Sequence, residues 1–68
     1  MNKDDALKAI AREFQRWPTR PKNPTAKDAL IFYGWLYQHR PEVLEFPYPG
    51  DRWQAVHGYL LRHRHVTD

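Results

Sequence analysis

The residues best suited to chemistry lie in the last third of the chain, DRWQAVHGYLLRHRHV, residues 51–66. Arg52, Arg62 and Arg64 are fixed positive charges there, and guanidinium groups bind the phosphates of nucleic acids or the carboxylates of an acidic protein. The segment also holds three histidines, which can gain positive charge as the pH falls below neutral: His57, His63 and His65. Binding of a polyanion or an acidic protein is the first chemistry that these residues suggest.

A second group of basic residues belongs to the first helix and the loop after it: Arg12, Arg16, Arg20 and Lys22. If this group lies beside the third helix, the two form a continuous positive patch of the kind that contacts DNA or RNA. The candidate nucleic-acid-binding residues are Arg12, Arg16, Arg20, Arg52, Arg62 and Arg64. The alternative is a solvated helix face whose arginine stems lie over aromatic side chains.

The stripe of Trp53, Val56 and Leu60, followed by arginines, resembles the second helix of helix-turn-helix and winged-helix proteins. That resemblance implies a recognition helix inserted into a groove of DNA. The connector before it, PEVLEFPYPG, is much longer than the three- or four-residue turn of a helix-turn-helix. A recognition helix must also protrude, whereas this stripe favours a buried position for the third helix.

The sequence contains no pattern that favours metal binding or catalysis. His63 and His65 are two positions apart, so on a helix they diverge by about 200°, and structural zinc sites need four ligands. The chain contains neither cysteine nor serine, the commonest nucleophiles. A pair such as His39 with Glu42 or Glu45 can occur in almost any chain, and a small helical domain rarely encloses a catalytic cleft. We therefore expect no enzyme activity, no cofactor and no metal.

Aromatic residues form the other group that can bind a partner. The segment DALIFYGWLYQHR, residues 28–40, is apolar nearly all round a helix, so several of its sides must be covered. The residues predicted to face the core are Leu30, Phe32, Tyr33 and Leu36. The other large apolar residues, with Tyr48 from the next connector, are candidates for a protein interface: Ile31, Trp35, Tyr37 and Tyr48. The alternative is that neighbouring helices surround this helix completely.

The first helix and its loop are defined by strong local signals. Asn2 is suited to the N-cap, and the helix extends to Trp17, where Pro18 prevents its continuation. The next stretch, PTRPKNP, holds three prolines and should connect two packed helices. The second helix begins after Thr25, which forms a capping-box pattern with Asp28.

The second helix should end before Pro41, and the third begins after Asp51. Gly34 costs the second helix about 1 kcal/mol relative to alanine, which indicates close approach of another backbone or ring. We expect an all-α fold, a single compact three-helix domain of residues 1–68 with a further short helical turn at residues 41–44. The predicted core residues are Leu7, Ile10, Phe14, Phe32, Leu36, Trp53, Val56 and Leu60.

Composition indicates the cellular compartment of the protein and whether it associates with a membrane. Its net charge of +3 is mildly basic, and 15% of its 68 residues are Phe, Trp or Tyr. The sequence has no stretch of about 18 apolar residues that could span a membrane. Its start, MNKDDALK, lacks the apolar region of a signal peptide. We therefore expect a cytoplasmic protein without a membrane partner.

Two segments, FYGWLYQHRPEVLEF and GDRWQAVHGYLLRHR, resemble short accessory proteins encoded by bacteriophages and prophages. The resemblance lies in the order of an aromatic helix, HRPE, a turn, and a helix with the pattern W-x-x-V-H-G. It implies a protein that binds host macromolecules, in the host cytoplasm, and it transfers no functional residues. We expect a non-enzymatic module that binds a protein partner, either a host protein or a second copy as a homodimer. A small DNA- or RNA-binding protein is the alternative.

Overall fold

The computed structural model describes residues 2–68 and contains helices linked by turns and loops, with no strand among those residues. Its elements are α1 (Lys3–Arg16), α2 (Ala26–His39), a 3₁₀ helix (Pro41–Leu44) and α3 (Arg52–Arg62). The all-α, three-helix prediction is confirmed, and so is the additional helical turn at residues 41–44.

Side-chain caps explain where the helices begin. The Asn2 Oδ1 atom accepts a hydrogen bond of 2.8 Å from the backbone N–H of Asp5, and this satisfies a donor that α1 leaves unpaired. At α2, the backbone N–H of Thr25 donates to Asp28 at 2.9 Å, as its capping-box pattern predicts. Asp51 caps α3 by accepting a 3.0 Å hydrogen bond from the backbone N–H of Trp53.

The end of α3 has an unusual backbone. The N–H of His65 donates to the carbonyl of Leu60 at 2.8 Å, and the N–H of Arg64 donates to Leu61 at 3.1 Å. This pair of bonds is a Schellman motif, whose left-handed position is most often glycine. Arg64 occupies that position with a φ of 60°, at a steric cost of about 1–2 kcal/mol for a residue with a Cβ atom.

Most of the predicted core is confirmed, because the following residues are buried in one cluster: Leu7, Ile10, Phe14, Phe32, Leu36, Val56 and Leu60. Phe14 of α1 and Phe32 of α2 meet edge to face, with ring centroids 4.9 Å apart. Trp53 is partly buried, and its ring lies 5.5 Å from that of Tyr33. The 3₁₀ helix closes the core because it packs on both α1 and α2 and buries Val43 and Leu44.

Candidate protein-binding face and basic depression

The side of α2 that points away from the core is apolar and exposed. Ala29, Phe32 and Leu36 are buried on the inner side. Leu30, Gly34 and Tyr37 follow one another at intervals of four and three residues, so they lie on one face of the helix. Leu30 is 53% exposed, and the adjacent Ile31 and Tyr37 are 54% and 70% exposed. We call these four residues, Leu30, Ile31, Gly34 and Tyr37, the outer face of α2.

One prediction about α2 was wrong. Leu30 was predicted to face the core, but Phe32 and Leu36 orient the helix so that Leu30 lies in solvent. Gly34 was predicted to admit another backbone or ring, and apart from its chain neighbours and the backbone of its own helix, no atom of the described residues lies within 4 Å of where its Cβ would stand. The glycine therefore serves no close contact among the described residues, although it weakens the helix.

A groove adjoins the outer face at Tyr37. It has a volume of about 640 Å³ and runs between the second half of α2, the 3₁₀ helix and the start of α3. Its lining residues are Tyr33, Tyr37, Pro41, Leu44, Glu45, Phe46, Pro47 and Arg52. We call it the tyrosine groove. Its mainly aromatic and proline walls can receive an apolar side chain, with one charge of each sign at the rim.

Two polar side chains of the tyrosine groove, Arg52 and Tyr33, have defined surroundings. Arg52 donates to the carbonyl of Phe46 at 3.2 Å, and its guanidinium lies 5.8 Å from the centre of the Phe46 ring. Burial, followed by the negative charge of Asp51, raises the pKa of Tyr33 above its ordinary value. The Tyr33 hydroxyl therefore stays protonated at neutral pH and can donate a hydrogen bond to a ligand.

The other two interface candidates lie in different surroundings. Trp35 is partly buried, with its ring stacked on Phe32 at 5.9 Å between centroids and tilted against His39 at 5.1 Å. Tyr48 packs beside Phe46, and the Lys3 ammonium lies 5.6 Å from its ring centre. Trp35 thus flanks the outer face of α2, whereas Tyr48 lines a separate depression beside α1 and α3.

The candidate arginines of the third helix and its end line three separate depressions. Arg52 lines the tyrosine groove, and Arg62 lines the depression with Lys3 and Tyr48. Arg64 shares the third depression with Arg20. The remaining two candidates, Arg12 and Arg16, are exposed on α1. Arg52 and Arg62, the two arginines of α3, therefore line different depressions.

The third depression joins two distant parts of the sequence. The backbone N–H of Thr67 donates to the carbonyl of Pro24 at 3.0 Å, which ties the end of the described chain to the loop between α1 and α2. The resulting hollow of about 490 Å³ is lined by Gln15, Arg20, Lys22, Asn23, Pro24, Arg64, His65, Val66 and Thr67. We call it the basic depression. Arg20, Lys22 and Arg64 make it cationic.

His65 carries a pH-dependent part of the fold's stability. Burial, then the nearby positive charges of His63 and Arg20, lowers the pKa of His65 from its ordinary value of 6.5. The unfolded chain therefore binds this proton more readily, so the free energy of unfolding should fall as the pH drops from about 7 to about 5. His65→Gln should flatten this dependence in urea denaturation series. Identical pH slopes for the parent and the variant would contradict it.

Among residues 2–68, no cluster of three or more His, Cys, Asp or Glu side chains has an arrangement that could hold a metal ion. None of the helices in this described part of the chain has the length and apolar character needed to cross a membrane.

Comparisons of the chain with protein-family models, with curated proteins and with solved structures find no match.

Proposed function

We propose that this protein is a non-enzymatic protein-binding module, and that its partner packs an amphipathic helix against the outer face of α2. The observation that carries the proposal is the exposed apolar set around Gly34. Leu30, Ile31 and Tyr37 are each more than half exposed, although the same helix buries Phe32 and Leu36 completely. A contiguous apolar surface on a small protein is typical of an interaction site.

A helix fits this surface better than an extended peptide does. The described residues offer no strand edge to which a peptide strand could add. An amphipathic partner helix instead presents apolar side chains at intervals of three and four residues, which match Leu30, Gly34 and Tyr37. Gly34 then has a role, because the absence of a side chain lets the backbone of the partner helix come close.

The tyrosine groove supplies a place for an anchoring side chain. Tyr37 belongs to both the outer face and the groove, so one partner helix can contact the face and insert an apolar residue beside Tyr33 and Phe46. Anchors of this kind contribute most of the binding energy in protein interfaces. Exposed Arg52 and Glu45 at the rim can pair with charges that flank the anchor on the partner.

The class of protein, its compartment and its partner are part of the same proposal. We propose a phage-type accessory protein that acts in the host cytoplasm, on the basis of the sequence resemblance alone. The partner is a host protein, and a second copy of this chain is the competing outcome that the experiments must separate.

Gly34→Ala tests the proposal because it should raise stability and lower affinity together. A Cβ at position 34 meets no atom within 4 Å, so alanine should stabilise α2 by about 0.5–1 kcal/mol. For a domain of this size, each kcal/mol raises the melting temperature by about 4–8 °C. The same methyl group should obstruct the partner helix and weaken binding about tenfold, since overpacking costs about 1–3 kcal/mol.

Gly58→Ala is the matched control. Gly58 lies inside α3, and a Cβ there also meets nothing within 4 Å. Tagged parent protein would capture partners from lysate, and the captured protein would then be purified and titrated into each variant. Sedimentation equilibrium at micromolar concentration would test self-association. We expect both variants to be stabilised and Gly34→Ala alone to lose affinity. Unchanged binding by Gly34→Ala, or the absence of both a partner and a dimer, would contradict the proposal.

A further inference from the structure

The basic depression gathers three cations from two segments that lie far apart in the sequence. Arg20 and Lys22 come from the loop between α1 and α2, and Arg64 follows α3. The hydrogen bond from Thr67 to Pro24 holds the two segments together. Among the described residues that line the depression there is no Asp or Glu. The lining therefore concentrates positive charge without an acidic side chain of its own.

The cations of the depression are not paired with carboxylates elsewhere in the described chain. The ion pairs found within residues 2–68 join Arg40 to Glu13 and Glu42. The nearby Asp68 carboxylate is turned to the start of α2, where it accepts a 2.7 Å hydrogen bond from the N–H of Ala26. Like charges held close together repel one another, so an anion bound among them would be stabilised.

Phe14 and His65 both lie near the positive charge of Arg20. The Arg20 guanidinium lies 6.0 Å from the centre of the Phe14 ring, beside the depression. Its charge contributes to lowering the pKa of His65, after burial and the charge of His63. An anion bound beside these groups would therefore raise the pKa of His65 again, which gives a direct spectroscopic readout.

The backbone at Arg64 supplies an independent observation. Arg64 stands in the left-handed position of the Schellman motif, with a φ of 60°. Glycine would fill this position without steric strain and would remove the third positive charge. Strained residues of this kind cluster at binding sites, where the surrounding structure holds a side chain in a required place.

We propose that the basic depression binds a phosphate group. Guanidinium and ammonium groups from Arg20, Lys22 and Arg64 match the charge of a phosphate, and Arg can donate two hydrogen bonds to its oxygens. Gln15 and Asn23 add neutral donors to the lining. The phosphate can come from a free phosphate compound or from the backbone of a nucleic acid. This site is separate from the outer face of α2 and does not depend on the protein-binding proposal.

Arg64→Gly tests the site with the full-length chain. Calorimetric titrations at low salt would use sodium pyrophosphate in one arm and a short single-stranded DNA oligonucleotide in the other. Arg64→Gly should fold at least as stably as the parent, because strain is relieved, yet bind at least tenfold more weakly. Arg62→Gln is the control, since it removes one arginine charge from a different depression. NMR titration should show the pKa of His65 rising when the probe is bound.

The two arms identify the source of the phosphate. Binding of pyrophosphate that depends on Arg64 indicates a free phosphate ligand. Binding of the oligonucleotide alone, with a steep loss between 50 and 200 mM salt, indicates a nucleic-acid backbone. The proposal is overturned if neither probe binds, or if Arg64→Gly and Arg62→Gln weaken binding equally and the pKa of His65 does not move.

Discussion

Phe32→Ala is expected to destabilise the protein by about 3–5 kcal/mol, a large part of the stability of a small domain. Phe32 has no exposed surface and lies at the centre of an aromatic cluster. Its ring centroid is 4.9 Å from Phe14 of α1, 5.4 Å from Trp17 directly after that helix, and 5.9 Å from Trp35 on its own helix. Removing the ring opens a cavity at the α1–α2 contact. Urea denaturation followed by circular dichroism measures the effect.

Milder variants keep this test informative if Phe32→Ala does not fold. Phe32→Leu retains much of the volume and should cost less than about 1.5 kcal/mol. Trp53→Ala should cost less than Phe32→Ala, because Trp53 is partly exposed, although the sequence alone predicts a largely buried residue there. A free energy of unfolding for Phe32→Ala within about 1 kcal/mol of the parent value would show that the core is wrongly described.

The first helix could be predicted in detail because its signals are local. Asn2 supplies a cap, three core residues recur at helical spacing, and Pro18 blocks extension. The 3₁₀ turn after Pro41 was predictable for the same reason, since proline favours the first position of a helix. Each of these features depends on residues within a few positions of one another.

The orientation of α2 could not be predicted in the same way. Its apolar residues extend nearly all round, so local periodicity does not identify one core side. Leu30 and Phe32 are equally apolar in sequence, yet one is 53% exposed and the other is fully buried. Contacts of Phe32 with Phe14 and Trp17 decide between them, and these contacts join residues far apart in the chain. The spacing of Leu30, Gly34 and Tyr37 was the available signal for the outer face.

The sequence predicts the basic residues of the basic depression but not that they lie together. Arg20 and Lys22 were recognised as one basic group and Arg64 as part of another, but their adjacency depends on the contact between Thr67 and Pro24. The end of α3 also lacked its usual signal, because Arg64 stands where glycine is expected. Local sequence patterns could not predict this site, because it depends on a long-range contact and on an atypical helix end.

Leu30→Lys is expected to weaken partner binding by about 30-fold or more, which corresponds to about 2 kcal/mol. A lysine at this position would place a charge against the apolar side of the partner helix, where desolvation is costly. The fold should tolerate the change, because Leu30 is 53% exposed and surface substitutions usually alter stability by less than about 0.5 kcal/mol. Equal melting temperatures for the parent and the variant would establish that the loss belongs to the interface.

Isothermal titration of the purified partner into the parent, Leu30→Lys and Leu61→Lys is the most direct test of binding through the outer face of α2. Leu61 is 42% exposed on α3, so Leu61→Lys makes the same chemical change outside that face. We predict that Leu30→Lys binds at least about 30-fold more weakly and that Leu61→Lys binds as the parent does. Parent-like affinity of Leu30→Lys, or an equal loss in both variants, would contradict binding through this face.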